Sequence, residues 1–290
     1  MSASQSSLPH AQAPYIVFSD FDGTITTEDS NDAATDNVRT LKYPLLRVQC
    51  LDLTTGLDVA ENLPQLGFGL EKRRALNLEI LNGTKNFRQS SVARGLHCRD
   101  AFREMIDSVA ANNTFDETRE YLRNKIKLDA GFKPFFEWCK AHDVPVVIVS
   151  SGMVPIIRAI MENLVGVEDA SKIDIIANDV EYLPDGKWTI KFRHPESGFG
   201  HDKSRSTSPY RDLEHKPTLF FCGDGVSDLS AARAANLLFV KVIPGHTNDL
   251  SVHCDREQIP YVAFEQFLQV KDAVANVIEK RATIEQLLKQ

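Results

Sequence analysis

Tyr15-Ile16-Val17-Phe18-Ser19-Asp20-Phe21-Asp22-Gly23-Thr24 decides how this chain is read. Its first four residues are all β-branched or aromatic, the composition of a strand buried on both faces. The strand ends in two carboxylates at i and i+2, followed at once by glycine. Like charges crowded at one loop repel, which raises one or both pKa values unless a cation lies between them. Carboxylate oxygens suit a hard cation such as Mg2+. A carboxylate so placed is also a candidate nucleophile for phosphoryl transfer. An EF-hand is excluded, because the flanking segment is strand-like and no glutamate stands at the loop's twelfth position. Taken alone, the acidic strand end is equally an ordinary solvated turn, so the other motifs carry the decision.

Outward from that strand, the pattern beyond residue 129 alternates helix with strand. Val144-Pro145-Val146-Val147-Ile148-Val149, Thr218-Leu219-Phe220-Phe221-Cys222 and residues 237–242 are almost wholly apolar, and 172–177 is a further strand candidate. Helical spacing lies between them at 131–142, 154–164 and 227–235, and 264–288 is mostly helical. Pro184-Asp185-Gly186 turns one short extended run into another, a hairpin within 180–192. Strands alternating with helices, each strand nearly all apolar, predict an α/β core: a doubly wound, Rossmann-like parallel sheet covered on both faces.

Residues 28–128 differ. Apolar residues recur at helical spacing over 70–81, 99–111 and 115–126, and no strong strand interrupts them. A helical block inserted after the first strand is read as a cap over the sheet's C-terminal edge, where such folds bind ligands. The expected organisation is a disordered tail at 1–14, a core built from 15–27 and 129–290, and a cap at 28–128. Within the cap, 38–65 has weak periodicity, two prolines and no clear helix caps. Structureless surface loops of that length are uncommon. Translated intron sequence is the sharper alternative. Val38-Arg39 fits a donor-like GTACGT, Leu57-Asp58 a branch-like CTGAC and Gln65 a terminal CAG, and removal joins Asn37 to Leu66 in frame.

Composition narrows the classes. A chain of 290 residues, 42% hydrophobic and 25% charged, is long enough and ordinary enough to bury one or two cores. Its net charge of -7 argues against nucleic acid or an anionic membrane surface as partner. No apolar run approaches the roughly 18 to 20 residues a membrane helix needs. Cys50, Cys98, Cys139, Cys222 and Cys254 are scattered without a C-x-x-C pair, which reads as reduced thiols in a cytoplasmic protein. Residues 1–14, rich in Ser, Ala and Gln, lack the basic and apolar regions of a signal peptide.

Three further motifs follow strands in turn. Ser150-Ser151-Gly152 offers a hydroxyl and backbone N–H groups at a helix start, which suits phosphate and equally suits an ordinary N-cap. Gly200-His201-Asp202-Lys203-Ser204-Arg205 carries a lysine that alone weighs little. Gly223-Asp224-Gly225-Val226-Ser227-Asp228 sets carboxylates at i and i+4 just past a buried strand. An acidic helix N-terminus explains Asp228 but not the Gly-Asp-Gly crossing.

Together and in this order, Asp20-x-Asp22-Gly23-Thr24, Ser150, Lys203 and Gly223-Asp224-Gly225-x-x-Asp228 resemble the four motifs of the haloacid dehalogenase superfamily of phosphatases. The resemblance spans about residues 15–270. The helical insert looks like the type-1 cap of the phosphoserine-phosphatase-like branch. Residues 20–32, 199–206 and 223–231 are similar to a fungal group related to polyol-phosphate phosphatases. Residues 38–65 fall outside the family's pattern.

The resemblance implies these roles. Asp20 is the nucleophile that forms an aspartyl-phosphate, and Asp22 is general acid and then general base. Mg2+ is held by the carboxylates of Asp20 and Asp224 with the backbone carbonyl of Asp22, and Asp228 orients that group. Ser150, Ser151 and Gly152 hold phosphoryl oxygens, and Lys203 cancels charge between phosphate and nucleophile. A carboxylate at Asp22, where ion-pumping relatives carry threonine, indicates a phosphoenzyme that must be hydrolysed quickly. For substrate choice, Glu28, Asp29, Asn31 and Asp32 could accept hydrogen bonds from substrate hydroxyls, and Arg88 could bind an anionic group. Solvated faces and helix caps account for each of them equally well. The expected activity is a Mg2+-dependent phosphomonoesterase acting on a small sugar or sugar-alcohol phosphate. Its rivals are a phosphoserine or methionine-salvage enol-phosphate phosphatase and, in a different class, a phosphate-binding isoform with a disrupted cap.

Overall fold

The computed structural model describes residues 8–37, 98–246 and 248–289. Seven strands form its sheet: β1 (Tyr15–Ser19), β2 (Val146–Met153), β3 (Asp174–Tyr182), β4 (Trp188–Lys191), β5 (Thr218–Gly223), β6 (Leu237–Lys241) and β7 (Val262–Phe264). Their spatial order is β4-β3-β2-β1-β5-β6-β7. All neighbouring pairs run parallel except β3 with β4, the antiparallel edge. The sheet is the doubly wound, Rossmann-like α/β core expected from the sequence. Strand order reverses at β1, between β2 and β5, which makes its carboxyl end the topological switch point.

From β1 the chain passes through α1 (Ser30–Asn37), and α2 (Cys98–Ala110) and α3 (Phe115–Lys125) precede α4 (Phe132–Ala141) and β2. Then α5 (Val154–Val165) and the single turn α6 (Val167–Ser171) lead to β3, and α7 (Lys203–Arg211) joins β4 to β5. After β5 come α8 (Leu229–Ala232), α9 (Asp249–Glu257), α10 (Phe267–Ile278) and α11 (Ile284–Leu287).

Alternation along each strand sends side chains to two layers. Val17, Ile148, Phe220 and Phe239 meet the apolar faces of α4, α5 and α10, whose Phe132, Phe135, Ile157, Ile160, Phe267 and Val274 are fully buried. Ile16, Phe18, Val147, Leu219 and Phe221 meet α7, α8 and α9 through Tyr210, Ala231 and Leu250. Each fully buried aliphatic or aromatic side chain contributes about 1.5–3 kcal/mol, so packing on both faces rather than strand propensity holds the sheet together.

Local expectations and structure part in three places. Residues 8–14, counted with a disordered tail, pack on the second layer through Leu8, Ala11 and Ala13. Pro14 also accepts the N–H of Thr218 at 2.9 Å. Their small apolar side chains fit beside β1, which the polar average of the tail concealed. The helix predicted over 227–235 is a 3-10 turn (Val226–Asp228) followed by the short α8. There the carboxylate of Asp228 folds the loop back by accepting the N–H groups of Asp224 and Gly225. β7 has no counterpart in the sequence pattern, since three residues carry too little of one. The predicted helix at 70–81, the segment 38–65 and Arg88 lie outside the described residues.

Where the chain leaves and re-enters the core, its two arms lie side by side. Thr26 and Leu128 form an antiparallel bridge, the N–H of Thr27 donates to the Lys127 carbonyl at 3.0 Å, and that of Asp129 donates to Ile25 at 2.8 Å. Among the described residues, no helix is long and apolar enough to cross a membrane.

Candidate active site

Asp20 stands one residue past β1, at the switch point. Its N–H donates to the Cys222 carbonyl at 2.8 Å, which carries the β1–β5 ladder one step beyond the strand and fixes the residue. Its Oδ1 accepts the N–H of Phe21 at 2.7 Å and lies 2.8 Å from Lys203 Nζ. Lys203 opens α7, is fully buried, and places the same ammonium 2.7 Å from Asp228 Oδ1. Burial works against its charge, but Asp20 and Asp228 carry it above the ordinary lysine value.

Asp228 spends both oxygens on the protein: Oδ1 on Lys203, Oδ2 on the N–H groups of Asp224 and Gly225 at 3.0 and 3.1 Å. Gly223 makes this possible, since a Cβ there would lie 2.5 Å from Asp228 Oδ2. Asp224 Oδ1 accepts the Thr24 hydroxyl at 2.8 Å. Burial, and next the charge of Asp228, push Asp224 up to about 7. The same two causes raise Asp20 by more than Lys203 offsets.

Oxygen atoms of Asp20, Asp224 and Asp228 lie within 4.8 Å of one another. The donor set is all oxygen, its negative charge exceeds what Lys203 cancels, and burial makes the excess costly, so the group fits Mg2+. With Asp228 engaged by protein donors, Asp20 and Asp224 are the carboxylates left to hold an ion. Gly23 has φ +73°, and a Cβ on it would stand 2.5 Å from Asp224 Oδ2, so only glycine leaves that oxygen room.

Asp22 is buried close by. Its Oδ1 accepts the N–H of Ser30 at 2.7 Å and its Oδ2 the side-chain amide of Asn31 at 3.0 Å. Burial, followed by the charge of Asp29, raises its pKa well above the usual carboxylate value, the setting a general acid needs. Asp29 and Asn31 are thus not laid out as substrate acceptors. Asp29 Oδ1 takes the N–H groups of Asn31 and Asp32 at 2.7 and 3.0 Å, an ordinary helix cap, and Asn31 serves Asp22. Glu28 lies 3.6 Å from Lys125 Nζ in a part-exposed ion pair across the crossing between core and helical block.

At the end of β2, Ser150 Oγ accepts the N–H of Gly152 at 3.0 Å, folding Ser150-Ser151-Gly152 into a tight turn. A Cβ on Gly152 would be 3.5 Å from Asp22 Oδ2, so this turn borders Asp22. His201 Nδ1 meets the Ser150 carbonyl at 2.6 Å, and Asn178 Nδ2 donates to the Ser151 carbonyl at 2.6 Å. Sequence reasoning assigned no role to either residue. His201 stood in the quoted lysine motif, and nothing local marked Asn178. The structure therefore gathers Asp20, Asp22, Ser150, Ser151, Gly152, Lys203, Asp224 and Asp228 at one edge of the sheet.

Comparison with known proteins gives the family. The family described as haloacid dehalogenase-like hydrolase matches residues 17–233. The chain is 41% identical over 256 residues to Pdp3-interacting factor 1 of Schizosaccharomyces pombe, covering 88% of this chain and 92% of that protein. It is 38% identical over 281 residues to polyol phosphate phosphatase PYP1 of Saccharomyces cerevisiae, covering 94% and 98%. Among solved structures, a phospho-aspartyl intermediate analogue of phosphoserine phosphatase shares the fold, with a TM-score of 0.54 at 14% identity over 92% of this chain and 99% of that one. The chain belongs to the haloacid dehalogenase-like hydrolase family, as one of its phosphatases.

Proposed function

We propose that this phosphatase hydrolyses a small sugar or sugar-alcohol phosphate, using Mg2+ and an aspartyl-phosphate at Asp20. The observation that carries the reading is the Lys203 ammonium, fully buried and 2.8 Å from Asp20 Oδ1 at the switch point of the sheet. A carboxylate cannot approach a dianionic phosphate unless positive charge cancels the repulsion, and Lys203 is built into that position.

In the first half-reaction an Asp20 carboxylate oxygen attacks phosphorus in line as the bond from phosphorus to the leaving alcohol breaks. The leaving oxygen takes the proton of Asp22, whose raised pKa suits it to hold one. In the second, Asp22 takes a proton from water. The water oxygen attacks phosphorus, the bond to Asp20 breaks, and free phosphate leaves with both aspartates restored. Asp20, Asp224 and the Asp22 carbonyl would hold Mg2+, which when bound supplies Lewis-acid charge neutralisation. Ser150 and the turn after it bind phosphoryl oxygens, and Asp228 keeps Lys203 and the Asp224 loop in place.

The polyol substrate rests on the Saccharomyces cerevisiae relative, whose name states that class. A core of 15–27 and 129–290 with a cap at 28–128 fits the paired arms at Thr26 and Leu128. Among the described residues, Cys139, Cys222 and Cys254 are free and buried, which fits the reducing cytoplasm. The test is hydrolysis of para-nitrophenyl phosphate with and without Mg2+, followed by phosphorylated polyols, hexoses and phosphoserine. Each is run on chains with and without residues 38–65. Highest kcat/KM on a polyol or sugar phosphate is expected. Preference for phosphoserine would overturn the substrate, and no Mg2+-dependent turnover of any compound would overturn the activity.

A further inference from the structure

We infer that His201 and Asn178 are positioning residues that fix the two peptide units of the Ser150 turn, so that the Ser151 N–H faces the bound phosphoryl group while the Gly152 N–H holds the Ser150 hydroxyl in place beside it. The inference rests on the phosphatase reading of the Ser150 turn given above.

A trans peptide is planar, with its C=O and N–H pointing in opposite directions. Whatever grips the Ser150 carbonyl therefore sets the direction of the Ser151 N–H, and a grip on the Ser151 carbonyl sets that of Gly152. Both grips are present, from outside the turn, at 2.6 Å each. The two grips come from different elements: Asn178 from β3, His201 from the loop before α7. Both residues are essentially inaccessible to water, His201 at 0% and Asn178 at 1% exposure.

Chemistry fixes the orientation of each group. A carbonyl only accepts, so His201 carries its proton on Nδ1. Its Nε2, 2.8 Å from Ser206 Oγ, then accepts the hydroxyl of α7. Burial pushes the ring's pKa down to about 3, so the neutral tautomer persists at working pH. Asn178 accepts the N–H of Arg193 on Oδ1 at 2.9 Å, which leaves its Nδ2 to donate to Ser151. His201 thus ties the Ser150 turn directly to the helix that begins with Lys203. The phosphate-binding peptide units and the charge-cancelling ammonium share one brace.

The experiment compares His201→Asn with His201→Gln in the full chain with Mg2+. Asparagine sets an N–H donor where Nδ1 lies, and glutamine reaches instead toward the Nε2 position. The readouts are KM and kcat for para-nitrophenyl phosphate, inhibition by inorganic phosphate, and melting temperature. For H201Q, the phosphate Ki and KM should each rise about tenfold, the loss of roughly one well-made hydrogen bond, with a smaller change in kcat. H201N should keep both near wild type even where its melting temperature falls as far as that of H201Q. If Ki follows melting temperature in both variants, or moves in neither, the positioning role is overturned. Nitrogen-15 NMR of the unmodified enzyme gives a test that needs no variant: His201 must show a protonated Nδ1, and a protonated Nε2 alone would overturn the brace. Ser150→Ala is the control. If it leaves phosphate inhibition untouched, the reading of the turn itself fails; if it weakens inhibition while H201Q does not, only the brace fails.

Discussion

At the scale of single residues, Asp20 and Asp224 differ in what their charge does. Asp20→Asn keeps the shape of the side chain and its bond from the Phe21 N–H but removes the proposed nucleophile. Turnover of para-nitrophenyl phosphate should fall at least about a thousandfold. The metal-free melting temperature should hold or rise, because one crowded buried charge is gone; retained turnover would refute the assignment. Asp224 has a folded-state pKa of about 7 against the ordinary 3.8. A carboxylate raised in this way stabilises the fold below the ordinary value, and that contribution is lost as pH rises through the folded one. The metal-free protein should therefore melt at progressively lower temperature from about pH 4 to about pH 8. Added Mg2+ should raise the melting temperature more at about pH 8 than at about pH 5, since it competes with the proton for the same oxygens. Thermal melts in chelator and in Mg2+ across that range check both statements, and an unchanged Mg2+ increment would count against Asp224 as a ligand.

At the scale of elements, the turn after β1 is the most constrained piece of backbone. Gly23→Ala sets a side chain at φ +73°, a strain of about 1–2 kcal/mol. Its Cβ would also crowd Asp224 Oδ2. A lower melting temperature and a several-fold higher Mg2+ concentration for half-maximal activity are expected, and normal Mg2+ dependence would show that the turn does not shape the metal site. Elements of this kind were legible in the sequence to unequal degrees. β1, β2, β5 and β6 stood out because strands buried on both faces have no polar alternation to blur them, and the hairpin of β3 and β4 stood out through Pro184-Asp185-Gly186. β7 has three residues and left no pattern. The helix predicted after Asp224 failed because Asp228 bonds to backbone within its own loop. Asn178 and His201 escaped notice because their partners lie 27 and 51 positions away in the chain, where no local spacing records them.

At the scale of the whole molecule, the returning arm is anchored through Asp129. Its Oδ1 accepts the N–H groups of Gly131 and Phe267 at 2.8 and 3.1 Å, and its Oδ2 pairs with Lys241, so one buried carboxylate joins the arm to β6 and α10. Asp129→Ala leaves an unpaired buried ammonium and two unmet N–H groups. Urea unfolding should show a loss of about 3–5 kcal/mol. KM for para-nitrophenyl phosphate should stay near wild type, and a raised KM would mean that this anchor also shapes the site. Further out, α2 and the turn after it are fastened to the hairpin: Thr189 donates to Asp107 at 2.6 Å and Trp188 Nε1 to the Asn113 carbonyl at 2.8 Å. The candidate site was legible because three of its four motifs stand at strand ends, whereas Lys203 opens α7 after a loop and was marked only by its place in the order. The organisation of 28–128 was less so, since helical spacing gives lengths but not what a helix rests on.

The paired arms at Thr26 and Leu128 carry a consequence for ancestry. With its two ends already bonded as neighbours, the core would close over a short turn much as it does over the span between them, because each doubling of such a loop costs only about 0.6 kcal/mol. The stretch between the arms is therefore free to vary in length at little cost in closure, so long as its first turn, where Ser30 and Asn31 hold Asp22, keeps its place.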